Sequence, residues 1–74
     1  MSQAMRYAIV IEMAESNLSA YVPDLPGCVA TGASLAEVET SIREAIELHL
    51  AGLREDGLPI PSPSSRVEYV EVAA

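Results

Sequence analysis

The run Ser34-Leu35-Ala36-Glu37 constrains this chain more than any other feature, because it fixes where a helix begins. A Ser at the cap accepts from the amide of the third helical residue, and a Glu at that third position reaches back to the cap's own N–H. Downstream, Leu35, Val38, Ile42, Ile46, His49, Leu50 and Leu53 recur at three- and four-residue spacing and form one apolar stripe, the mark of a helix laid across a sheet. Glu37, Thr40, Glu44, Glu47 and Arg54 occupy the opposite side, and Glu39 precedes Arg43 by four residues, the favourable order for an ion pair. Gly57-Leu58-Pro59 is a stop: Gly takes the left-handed conformation and Pro prevents continuation.

The residues before the helix read as strands. Met5 to Met13 puts Tyr7, Ile9, Ile11 and Met13 on one face and Arg6, Ala8, Val10 and Glu12 on the other. Both faces are mainly apolar, which predicts a central strand. Ala14-Glu15-Ser16-Asn17 is a polar break, and Leu18 to Val22 is a second, antiparallel strand that Pro23 ends. Pro23 to Gly27 forms a rigid loop, with Leu25-Pro26-Gly27-Cys28 fitting a type II turn. A third strand spans Cys28 to Thr31 and Gly32 breaks it.

Beyond the helix, Pro59 to Ser65 is an extended crossover and Arg66 to Val72 a fourth strand, whose alternation slips at Tyr69-Val70, giving either a bulge or an edge position. The order β-β-β-α-β predicts an α+β fold, a three- to four-stranded sheet with one amphipathic helix on one face. Residues 5–72 form a single domain, 1–4 an N-terminal extension and 73–74 a C-terminal tail.

A chain of 74 residues has room for one hydrophobic core and stands near the lower limit of independent stability, so burial against another copy or a partner is expected. With no Trp, no Phe and three Tyr, that core is aliphatic. Its longest uncharged apolar run, Tyr7 to Ile11, is too short to cross a bilayer, and no Arg- or Lys-headed signal peptide opens the chain; a cytoplasmic location is expected. Eleven acids against four Arg give a net charge of −7, which repels nucleic acid and favours a basic protein partner, or else serves only to keep the chain soluble.

Catalytic patterns are missing. The four glycines are scattered, so no phosphate-binding loop forms. His49 is the one imidazole and lies in the apolar stripe, which makes it a core or interface residue. The lone Cys28 reads as a buried thiol. With no second His or Cys to pair with, neither makes a metal site, and no cofactor is implied. Glu12, Asp24, Glu44 and Glu47 evoke an acidic nuclease cluster, but the helix carboxylates read better as a solvated face. Asp24 sits in the Pro-bounded loop, either as a presented functional acid or as the acceptor of a local Asx-type turn. Leu48 falls off the apolar stripe and, with Leu58 and Ile60, is a candidate oligomer or partner surface.

Taken together, Tyr21 to Gly32 (YVPDLPGCVATG), the run SLAEVETSIREAIELHL from Ser34 and EDGLPIPSP from Glu55 resemble the HicB-like antitoxins of type II toxin–antitoxin systems, from Tyr7 to about Val72. The resemblance implies a partial ribonuclease H-like fold with no catalysis of its own, which binds and occludes a small basic HicA-type ribonuclease toxin. It makes Tyr21, Asp24, Leu25 and Pro26 the candidates for partner contact. Many such antitoxins continue into a DNA-binding module; this sequence stops at Ala74, and direct DNA binding is not expected. The other reading of the same pattern is a solitary homo-oligomeric interaction or ligand-binding module with no toxin partner.

Overall fold

A computed structural model describes residues 5–74, so the expected 1–4 extension lies outside the described residues. Three strands, β1 (Val10–Met13), β2 (Leu18–Tyr21) and β3 (Val29–Gly32), precede the helix α1 (Leu35–Glu55). The polar break after β1 closes through the Ala14 N–H donating to the Asn17 carbonyl, 2.9 Å. That turn sets the antiparallel register Met13↔Leu18 to Val10↔Tyr21, and β2 in turn pairs with β3 from Leu18↔Gly32 to Tyr21↔Val29. The sheet order is β1-β2-β3, which makes β2 central.

Both helix ends follow from their sequence. Ser34 has extended backbone and its hydroxyl accepts from the Glu37 N–H at 3.2 Å, while the Glu37 carboxylate accepts from the Ala33 N–H at 2.8 Å, one residue before the cap. At the other end Gly57 takes φ +67°, and the Gly57 and Leu58 amides donate back to the Arg54 and Leu53 carbonyls, the double closure of a Schellman motif. The helix packs under β3 and β2 but not under β1. At Gly32 the approach is so close that a Cβ there would lie 2.5 Å from the Val38 nitrogen, so only glycine allows β3 to run into the helix. Ala20, Val22, Leu25, Cys28, Val38, Ile42 and Leu50 form the buried core.

Four expectations change. First, β1 is an edge strand, not a central one, and begins at Val10 rather than Met5. Second, Arg66–Val72 forms no strand, so the sheet stays at three. Ser64 and Ser65 are held at the Asp24 loop, and beyond them the segment pairs with no strand among the described residues. Third, Leu35 is exposed, because the helix meets the sheet one turn later, at Val38. Fourth, Glu39 and Arg43 both face a groove between α1 and the chain before β1 without pairing; the ion pair among the described residues is Arg66 Nε to Glu68 Oε1, 2.7 Å, wholly on the surface.

Candidate partner-binding surface

The loop between β2 and β3 is two turns in series. Leu25 N–H donates to Val22 O and Cys28 N–H to Leu25 O, both at 3.0 Å, and Val22 N–H reaches across to Cys28 O at 3.2 Å. Gly27 at φ +84° supplies the left-handed third position of the second turn, as the Leu-Pro-Gly-Cys pattern predicts. Folding the loop back twice turns Leu25 inward, where it is fully buried. As a contact residue Leu25 is therefore misplaced by the sequence reading: its side chain is a plug in the core, and Pro26 is what the loop tip exposes.

Asp24 is neither free nor engaged in a local Asx turn. Its carboxylate accepts four hydrogen bonds from forty residues away: the N–H groups of Ser64 and Ser65 both donate to Oδ2 at 2.9 Å, and their hydroxyls donate to Oδ1 at 3.1 and 2.7 Å. The backbone bond from Ser65 leads these in holding the Asp24 carboxyl down to about 2, from an ordinary 3.8. Beside it, the Tyr7 hydroxyl donates to the Pro61 carbonyl, and burial followed by the nearby Asp24 charge pushes that phenol up. The Pro/Ser-rich segment is thus stapled at two points to the strand-and-loop end of the molecule.

With Asp24 committed to Ser64 and Ser65, the candidate residues that remain exposed are mainly apolar. Tyr21 is exposed at the end of β2, and Leu58 at the helix exit. Ile60 departs from its expected place: it is half-buried and packs against the core. Leu48 is 76% exposed on the outer face of α1, with Glu44 and Glu55 exposed on neighbouring turns and Ala51 between them. His49, about 100° round the helix from Leu48, is half-buried, and Cys28 is buried, where desolvation pushes its thiol up. Among the described residues no three His, Cys, Asp or Glu side chains come together as a metal site. No described helix is long and apolar enough to cross a membrane. The Asp24 staple and the inward Leu25 are what sequence reasoning missed; the Ser pair at 64–65 was the signal for the first, and the back-to-back turns for the second.

Comparison with known proteins gives this geometry a context. The model of the HicB_like antitoxin of bacterial toxin–antitoxin systems matches residues 7–73. A UPF0150 protein of Helicobacter pylori is 45% identical over 65 residues, covering 86% of this chain and 90% of that one. A 14.9 kDa protein encoded in the rep–hol intergenic region of Haemophilus phage HP1 is 35% identical over 66 residues. That alignment takes in 89% of this chain and 50% of the phage protein, so the chain spans half the length of that relative. A solved chain of a HicA3 and HicB3 toxin–antitoxin complex superposes with a TM-score of 0.70 at 32% identity, over 81% of this chain and 70% of that one.

Proposed function

Because this chain belongs to the HicB-like antitoxin family, we propose that it acts by binding a small basic HicA-type ribonuclease toxin and covering its catalytic surface, with no chemistry of its own. The observation that carries this reading is the likeness in fold and sequence to a chain of a HicA3–HicB3 complex, together with the family match over residues 7–73. The charge supports it. At −7 the chain attracts a cationic protein and repels the RNA that such a toxin cleaves, so binding and competition act in the same direction. The outer face of α1, with Leu48 between exposed carboxylates, offers an apolar anchor inside an acidic rim, the arrangement that suits a basic partner.

The non-catalytic part of this proposal is supported by the family and by the commitment of Asp24, whose two oxygens accept from Ser64 and Ser65, which leaves Glu12 without a second acid in the loop. Co-expression with a HicA-type toxin gene from the same genome tests the proposal. Rescue of toxin-arrested growth, with nanomolar binding that weakens as salt rises, is the expected result. No rescue and no complex with any such toxin sets the proposal aside in favour of a solitary interaction module.

A further inference from the structure

The edge strand β1 reads like a central one. Its residues and those leading into it are apolar on both faces, yet among the described residues nothing pairs with its outer edge. Exposed, two-sided apolar edges are templates for another strand. Since α1 covers β3 and β2 only, a groove of about 770 Å³ remains between α1 and the chain entering β1, floored by Ile9, Ile42 and Ile46. Arg6, Arg43 and Arg54 also line it. These are three of the four cations in a chain of net charge −7, and they outnumber the groove's two carboxylates, Glu39 and Glu47. The groove is thus a locally positive, apolar slot beside a free strand edge.

The fourth cation, Arg66, opens the segment that matches this slot. Arg66–Val72 carries a strand-forming sequence with two carboxylates, and it leaves its own body unpaired: Tyr69 is 98% exposed, Val70 80% and Val72 75%. Arg66 and Glu68 already pair on one side of it, as alternate residues of an extended chain do. The Asp24 staple fixes the root of this arm at Ser64 and Ser65, and beyond that root the chain projects. The molecule accordingly measures 47 × 27 × 23 Å with a radius of gyration of 14.1 Å, against about 11 Å for a closely packed chain of this length.

We propose that the groove beside β1 receives Arg66–Val72 of a second copy, the two copies exchanging arms so that each arm becomes the fourth strand of its neighbour's sheet. The acidic arm meets the arginine-lined slot, main-chain bonds satisfy the open edge of β1, and the valines of the arm cover the isoleucines. A small domain with an incomplete second layer gains burial by association. The proposal uses only this chain and is independent of the toxin reading.

Light scattering on the full chain, isotope-filtered NMR on a mixture of labelled and unlabelled protein, and two proline variants test it. The expected mass is twice the 7.8 kDa of one chain, with cross-peaks from the Val70 and Val72 methyls to Ile9, Ile42 or Ile46 of the other copy. Successive amides of a strand point to opposite sides, so one of Tyr69→Pro and Val70→Pro removes a bond to β1 and halves the mass, with the helical circular dichroism unchanged. A single-chain mass in the wild type, the same cross-peaks arising only within one chain, or a dimer that survives both proline changes overturns the proposal.

Discussion

The carboxylate of Asp24, in the loop after β2, accepts hydrogen bonds from both the backbone and the hydroxyl of Ser65, forty-one residues later in the chain. This one side chain ties Ser64 and Ser65, nearly ten residues past the end of the helix, to the loop between β2 and β3. Because the folded-state value, about 2, lies below the ordinary 3.8, the native chain resists protonation here. The staple therefore contributes above pH 3.8 and is lost as pH falls through about 2. The protection factors of the Ser64 and Ser65 amides, taken against the intrinsic exchange rate at each pH, are expected to be high at pH 5 and to fall towards pH 2, and Asp24→Asn to lower them already at pH 5. Equal exchange in wild type and variant would show that the staple holds nothing.

Leu25 and Leu48 separate stability from binding. Leu25→Ala empties a fully buried site and is expected to destabilise the fold by about 2 to 5 kcal/mol in urea titration. Leu48→Ala lies on an exposed helix face, so its stability change is expected to stay within about 0.5 kcal/mol. If Leu48 anchors the toxin, the loss of affinity in calorimetry appears without that change in urea midpoint.

The glycines make an opposed pair. Gly32→Ala places a methyl 2.5 Å from the Val38 nitrogen, and backbone must move; a loss of about 1 to 3 kcal/mol is expected. A Cβ at Gly52 meets nothing within 4 Å inside a regular helix, so Gly52→Ala is expected to raise stability by about 0.5 to 1 kcal/mol. Thermal melts that move in the same direction for both changes contradict the close approach described at Gly32.

Ser34→Ala removes the acceptor for the Glu37 amide, and a loss of about 1 kcal/mol is expected. Chemical denaturation of the variant checks it, and an unchanged midpoint would mean that water replaces the cap fully.

Local chemistry is what the sequence carries in the open. The Ser34 cap, the Gly57 stop and the Leu25–Cys28 turn depend on residues within a few positions of one another, and each forms as read, save that the Glu37 carboxylate reaches the Ala33 N–H rather than that of Ser34. Position across the sheet was harder to read. An apolar, two-faced β1 implies neighbours on both sides, and among the described residues β2 alone pairs with it, so alternation alone could not place it. Of the candidate contact residues, Tyr21, Pro26, Leu48 and Leu58 reach the surface, whereas Leu25 and Asp24 are diverted by a double turn and by two serines forty residues away.

Cys28 closes the loop whose first turn ends at Leu25, and it is 4% exposed with its thiol pushed up by desolvation. A single sulfhydryl in that place is a natural clock for breathing of the loop and core. An alkylating reagent modifies it in molecules that have opened, so at reagent concentrations where the pace of modification no longer rises with reagent, that pace counts the openings, with no dye, tag or added mutation.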